Sequence, residues 1–250
     1  MTEKRVAIVT GASRGIGRAI AERLGSGGWS VVLAARKAED LEEVRDAIQA
    51  AGGAALAVPC HTGRADEVDQ LVRTAAAHFG QVDGLVNNAA TNPYFGPMLD
   101  VEWPAWDKTF EVNVKGYFSA CRAVARHLRY RGAPGSIVQV SSILGIQGAP
   151  LQGVYGMTKA AVISMTKSLA VELSADRIRV NAIAPGIVDT RFAQALTGNE
   201  AIAGMLTQRT PLGRFGRPEE IAGLATHLLS DEASYTTGAV VTVDGGLTVA

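Results

Sequence analysis

The chain is predicted to be an α/β protein built on a single doubly wound, seven-stranded parallel sheet flanked by helices. Two observations predict it. Short apolar runs bounded by turn residues alternate with helical-period segments from one end to the other. The size and composition agree: 250 residues, 47% hydrophobic and 19% charged, are enough for one large core spanning 1–250. No repeat, low-complexity tract or linker marks a second domain.

Several function classes are disfavoured at once. Lys plus Arg equals Asp plus Glu, and no basic run follows a phosphate backbone, so nucleic acid is not expected as a partner. The opening Met-Thr-Glu-Lys-Arg leads into an apolar run, Val6–Val9, too short for a secretory core or a membrane span. The closing Leu-Thr-Val-Ala matches no receptor-read tail, so a cytoplasmic location is expected. Cys60 and Cys121 lack metal-ligand spacing and are expected as buried free thiols. The four histidines have no ligand partners, and no metal is expected.

Val6–Thr10 reads as a buried strand, followed at once by Gly11-Ala-Ser-Arg-Gly15-Ile-Gly17. Helical spacing then takes over (Ile16, Ala19, Ile20, Leu24) and ends in Gly25–Gly28. Strand, glycine turn, helix is the context of a phosphate cradle: glycine lets the backbone come close, and the helix start offers free N–H groups. The spacing G-x-x-x-G-x-G differs from G-x-G-x-x-G, and a plain tight turn would give the same pattern. Strand two, Ser30–Ala35, ends without the acidic residue that would hold ribose hydroxyls. Arg36 stands there instead, and Arg14 lies in the glycine loop. Two guanidiniums suit a 2′-phosphate dianion, so NADP(H) is expected over NAD(H), although a pair of surface arginines would read the same way. A helix over Ala38–Ala51 covers the sheet with Leu41, Val44 and Ile48.

Strand three, Ala54–Val58, runs into Pro59-Cys-His-Thr-Gly63, which places His61 and Thr62 either against a cofactor's adenine or simply at the surface. A helix over Ala65–Phe79 and strand four, Gly84–Val86, lead to Asn87-Asn88-Ala89-Ala90, turn residues that can also brace backbone around a ligand. Thr91–Pro104 is an aromatic-rich loop that either lines a pocket or packs. A helical stretch from Trp106 to Arg131 carries Asn113 between Val112 and Val114. Such an asparagine is a structural hydrogen-bonder, or it kinks the helix and holds a water.

Strand five, Ser136–Val140, ends in Ser141-Ser142, thirteen residues before Tyr155. Tyr155 and Lys159 are four apart on a helix, hence on one face. A phenol ionises near about 10, and an adjacent ammonium draws that value down toward neutrality. Tyr155 is thus expected to exchange a proton with a substrate oxygen, where the pair taken alone would equally be a packed tyrosine beside a solvated lysine. Strand six, Arg179–Ala184, is followed by Pro185-Gly186 and Thr190. Residues 191–217, with Phe192, Leu196, Met205 and Leu206, form either a lid or a surface excursion. Pro218 opens another helix, and Ala239–Val243 is the last strand, before Asp244-Gly-Gly246.

Assembled in order, Thr10–Gly17, Asn87-Asn-Ala89, Asn113, Ser142, Tyr155-x-x-x-Lys159, Pro185-Gly186 and Asp244-Gly-Gly246 resemble the short-chain dehydrogenase/reductase family almost end to end. The resemblance implies a Rossmann fold, a tetrad of Asn113, Ser142, Tyr155 and Lys159, and usually a homotetramer. It implies a dinucleotide held by Gly11, Ser13, Arg14, Gly15, Ile16 and Gly17 at the phosphates. Arg36, His61, Thr62, Asn88 and Ala89 would serve the adenosine side and central backbone. Tyr155, Lys159, Pro185, Gly186, Val188 and Thr190 would serve the nicotinamide half. Ala90 and His61 depart from the usual glycine and acidic residue. Cys60–Gly63, Asn92–Gly96 and Ala233–Gly238 resemble the branch of NADP-dependent carbonyl and retinol reductases known as dehydrogenase/reductase member four.

On that resemblance the expected activity is hydride transfer between NADP(H) and a carbonyl or alcohol. Ser142 would polarise the carbonyl, Tyr155 would donate the proton, Lys159 would activate Tyr155 and bind ribose, and Asn113 would hold a relay water. Tyr94, Phe95, Leu144, Leu151 and Phe192 are expected to line an apolar substrate pocket. A thioester reductase, a sugar or alcohol dehydrogenase, an isomerase or dehydratase on the same fold, and a non-catalytic dinucleotide sensor are the alternatives.

Overall fold

The computed structural model describes residues 4–194, 198 and 200–250. Residues 1–3 of the opening segment, Leu196 and part of the 191–217 segment lie outside the described residues. Strands β1 (Val6–Thr10), β2 (Ser30–Ala35), β3 (Ala54–Pro59), β4 (Gly84–Asn87), β5 (Gly135–Val140), β6 (Ile178–Pro185) and β7 (Val240–Val243) form one sheet in the order β3-β2-β1-β4-β5-β6-β7. Every pairing is parallel. The predicted seven-stranded doubly wound sheet is the architecture found.

Alternation along the strands sends successive side chains to opposite faces. Ala7, Val9, Val31 and Leu33 pack into one core with α1 (Gly15–Ser26) and α2 (Glu39–Ala50). The helix Pro218–Leu229 closes the same core. Val6, Ile8, Val32 and Ala34 pack on the other face with α3 (Ala65–Phe79) and the helix Tyr117–Arg131. The chain reverses its winding between β1 and β4, and open α/β sheets gather ligands outside the carboxyl ends of strands at such a point.

The stretch expected as one helix over 106–131 is three elements: α4 (Trp103–Phe110), a π-helical turn at Glu111–Gly116, and α5 (Tyr117–Arg131). Pro104, tolerated in a first turn, lets the helix begin earlier than the apolar spacing suggests. The irregularity falls around Asn113, and Gly116 permits close passage there, since a Cβ on it would sit 2.8 Å from the Thr62 carbonyl oxygen. Helix α6 (Gly153–Glu172) starts two residues before Tyr155. The 191–217 segment contains a helix, α7 (Glu200–Arg209), and α8 is Pro218–Leu229.

Candidate active site

The glycine loop is folded tightly enough that side chains are excluded. Gly11 has φ +65°, and a Cβ there would lie 2.8 Å from Asn88 Nδ2. A Cβ on Gly17 would overlap the Gly11 carbonyl oxygen, a clash with backbone that no flexible side chain can relieve. The loop is braced from β4: Asn88 Nδ2 donates to the carbonyls of Thr10 at 3.0 Å and Gly11 at 3.2 Å. The amides of Asn88 and Ala89 donate to Thr10 Oγ1. The adjacent asparagines therefore hold backbone; Asn87 Nδ2 reaches the carbonyl of Tyr117.

Helix α1 has no side-chain cap and no acidic residue in its first turn. Its first bond runs from Arg18 N–H to the Arg14 carbonyl, leaving the preceding amides without helical partners. A pyrophosphate fits such an end: the backbone is bare, the amides are available and the helix dipole is uncompensated. Arg14 and Arg36 are both exposed, and the Ala12 amide bonds the Ala34 carbonyl at 3.2 Å, tying the loop to the end of β2. Lys37, exposed beside Arg36, is a third cation not anticipated from the sequence.

Across the sheet, the loop after β6 comes back to the glycine loop. Pro185 ends β6, and a Cβ on Gly186 would meet Asp244 Cα at 2.7 Å. Val188 bridges to Gly216, and Thr190 Cγ2 lies 3.2 Å from the position of a Cβ on Gly15. The predicted phosphate and nicotinamide segments are thus neighbours.

The 142–145 turn lies against α6. Ser142 is extended and its Oγ accepts from the Leu144 amide at 3.1 Å. A Cβ on Gly145 would be 2.6 Å from the Lys159 carbonyl carbon, and one on Gly156 would be 2.9 Å from the Leu144 carbonyl oxygen. Ser141 Oγ donates to the Lys159 carbonyl at 2.8 Å. These contacts fix the serine turn against the helix that carries Tyr155.

Tyr155 and Lys159 are 8% and 1% exposed. Lys159 Nζ lies 5.5 Å from the Tyr155 ring centroid and 5.0 Å from that of Tyr117. It donates to the Val140 carbonyl at 2.7 Å and to Tyr117 Oη at 3.2 Å. Burial sets the ionisation of this group of residues. It pushes the Tyr155 phenol well above its ordinary 10.0 and brings Lys159 from 10.5 down to about 7. In the protein alone, burial thus acts on the phenol in the direction opposite to that expected of the ammonium one turn away.

Asn113 is fully engaged. Its Oδ1 accepts from the Thr91 amide at 2.8 Å, and its Nδ2 donates to the Thr91 carbonyl at 2.9 Å and to Thr158 Oγ1 at 3.1 Å. Thr158 Oγ1 in turn donates to the Tyr155 carbonyl. Asn113 is thus the structural hydrogen-bonder of its first sequence reading, and it sits within the π-helical turn.

His61 is at the end of β3, but its ring is drawn into the protein. Its Nδ1 faces the Gly63 amide at 3.2 Å and its Nε2 faces Lys108 Nζ at 3.0 Å, while its own amide donates to Glu67 at 2.6 Å. Thr62 is buried. Of the apolar candidates, Phe192 is the one in ring contact with Tyr155, at 5.7 Å between centroids. Tyr94 folds back so that its hydroxyl bonds the Pro97 carbonyl. Phe95 and Leu151 are exposed, the latter with φ +66°, and the Gly96 amide bonds the Leu151 carbonyl. Leu144 is partly buried on the serine turn. Met98 was not anticipated; its sulfur lies 2.5 Å from the position of a Cβ on Gly153, at the start of α6.

Cys60 and Cys121 are free and buried, with thiols pushed up to about 12 by burial. Among the described residues, no group of His, Cys, Asp and Glu could hold a metal ion, and no helix is long and apolar enough to cross a membrane.

Residues 11–248 match the family model described as enoyl-(acyl carrier protein) reductase. The chain is 42% identical over 242 residues to dehydrogenase/reductase SDR family member 4 of Oryctolagus cuniculus, covering 97% of this chain and 93% of that protein. It superposes with a TM-score of 0.95 on a short-chain type dehydrogenase/reductase from Mycobacterium ulcerans, at 35% identity, covering 99% and 90% of the two chains. It also resembles a gluconate 5-dehydrogenase from Burkholderia cenocepacia in complex with NADP and tartrate, with a TM-score of 0.94, 32% identity, and 98% and 96% coverage. The chain belongs to the short-chain dehydrogenase/reductase family, oxidoreductases acting on CH–OH and C=O groups. Within it, the chain falls in the branch of dehydrogenase/reductase SDR family member 4.

Proposed function

We propose that this protein is an NADP(H)-dependent oxidoreductase interconverting a carbonyl compound and its alcohol, with Tyr155 as the acid and base. The observation carrying this is the buried pairing of Tyr155 with Lys159, held against the Ser142 turn at the carboxyl edge of the sheet. When bound, the nicotinamide supplies or takes up the hydride. Gly11, Ser13, Gly15, Ile16 and Gly17 would hold its pyrophosphate, and Pro185, Gly186, Val188 and Thr190 would flank its other half. Asn88 and Ala89 brace the backbone between them. Thr62 and His61 would serve the adenine side, as the resemblance implies.

Ser142 hydrogen-bonds the substrate oxygen and favours the charge that develops on it. Tyr155 gives that oxygen a proton in reduction and removes it in oxidation. Lys159 would hold ribose hydroxyls. Acceptor oxygens beside a buried ammonium favour its charged form, which in turn lowers the phenol's ionisation. Asn113 keeps the backbone beside α6 in register through Thr91 and Thr158, and a relay water belongs with the irregular backbone around it.

Phe192 in ring contact with Tyr155 favours an apolar or aromatic carbonyl; Leu144, Leu151, Tyr94 and Phe95 would complete the pocket, and the described parts of the segment after Thr190 would serve as the lid. Exposed Phe118 on α5, sharing a groove with Met165 of α6, supports self-association, and a homotetramer is the state that family likeness implies. The two free thiols suit a reducing, cytoplasmic setting.

A panel of ketones and aldehydes assayed by NADPH oxidation, with cofactor binding measured alongside, tests the proposal. Turnover is expected with apolar carbonyls; tight binding with no turnover across the panel would make the protein a sensor instead. Cofactor choice is tested separately. Arg14→Ala and Arg36→Ala are each expected to lower the NADPH-to-NADH ratio of kcat/KM by roughly tenfold, the worth of one charge-assisted contact. An unchanged ratio in both would reject the 2′-phosphate assignment.

A further inference from the structure

The Lys159 ammonium is not held by Tyr155, the residue it is paired with in sequence, but by a second phenol. Tyr117 is 1% exposed and among the largest fully buried side chains. Its hydroxyl donates to the Val140 carbonyl at 3.0 Å and accepts from Lys159 Nζ at 3.2 Å, and Lys159 itself donates to the same carbonyl at 2.7 Å. The ring adds its face, 5.0 Å from the ammonium. The three polar atoms close a triangle, and the ammonium proton not used within it is left for the site. Tyr117 reaches this place because the π-turn Glu111–Gly116 ends on the residue before it, which resets the phase of the helix after Asn113.

We propose that Tyr117 is a positioning residue for the reaction proposed above: it keeps the Lys159 ammonium charged and aimed into the site, and acts on Tyr155 only through that charge. The titratable groups facing Lys159 are Tyr155 on its own helix and Tyr117 on α5, with Cys121 one turn beyond Tyr117. Strand β5 contributes the Val140 carbonyl. Both phenols and the thiol are held neutral by burial, so among the described residues the ammonium has polar acceptors and a ring face for company but no anion. Removing one acceptor from a buried cation weakens the charged form, and a hydrogen bond to a charged group is worth about one pH unit.

Tyr117→Phe keeps the ring and deletes the hydroxyl. In the cofactor-free protein, the Lys159 Cε resonance (assigned by its absence from Lys159→Met) is expected to titrate about one pH unit lower than in the parent. The alkaline limb of kcat for carbonyl reduction, which requires the ammonium, is expected to move down by the same amount. Tyr117→Met, which also lacks the ring, serves if the Phe form fails to fold, and should shift both further. An unmoved Lys159 titration overturns the proposal, and so does a loss of rate that is equal at every pH. Tyr155→Phe run in parallel separates the two levels. If it stays active, the proposed function fails; if it is inactive while Tyr117→Phe matches the parent at every pH, the role of Tyr117 alone fails.

Discussion

Tyr155→Phe is expected to bind NADPH as tightly as the parent and to lose turnover by about 10²–10⁴-fold, the range that a positioned acid contributes. The substitution removes one oxygen from a ring that is 8% exposed, packed on Phe192 and flanked by Lys159. The Tyr155 hydroxyl makes no hydrogen bond among the described residues, so its removal leaves no buried partner unsatisfied and the fold should be indifferent. A stopped-flow or steady-state assay with an independent binding measurement separates the two effects. Loss of binding together with rate would mean that the substitution had disturbed the cradle, and undiminished kcat would remove Tyr155 from the chemistry.

Lys159→Met is expected to act in two directions at once. Turnover should fall by a similar factor, because the phenol loses the cation that favours its ionised form. The cofactor-free protein should become more stable. Lys159 is 1% exposed with its ionisation brought down to about 7 by burial, whereas an unfolded chain ionises lysine near the ordinary 10.5. Below about pH 7 the folded protein carries a buried ammonium and the penalty is complete. Between about 7 and 10.5 the unfolded chain binds the extra proton, so the parent gains stability as pH rises. The variant's advantage is therefore greatest at and below pH 7, at about 2 kcal/mol or roughly 4–8 °C in Tm, and narrows toward pH 10. Thermal melts at pH 6, 8 and 10 check the sign. A variant that melts lower than the parent at pH 6 would show that the ammonium is a structural asset rather than a cost retained for function.

Much of this site is legible in the chain because it depends on neighbours in sequence. Tyr155 and Lys159 share a helix face by spacing, and the glycine loop follows from strand, turn and helix. The brace from Asn88 to Thr10 and Gly11 follows from polar residues closing a strand. What was hidden depends on distant packing. Tyr117 looks like one more apolar position in a helix, since a regular period gives no sign of the π-turn that rotates it toward Lys159. His61 reads as a loop residue free to meet a ligand, and only the fold brings Lys108 against its ring. The rise of the Tyr155 phenol in the protein alone was hidden for the same reason: sequence shows a cation one turn away, but not that both groups are buried together.

Filling the site, not folding alone, is what should make the phenol of Tyr155 acidic through the Lys159 charge. Phenolate absorbance, taken as the difference between the parent and Tyr155→Phe across pH, measures this directly with and without saturating NADP⁺. The expected result is a Tyr155 ionisation above the ordinary 10.0 in the free protein and below it in the loaded one, the drop disappearing in Lys159→Met. A phenol that stays above 10.0 with the cofactor bound would contradict it.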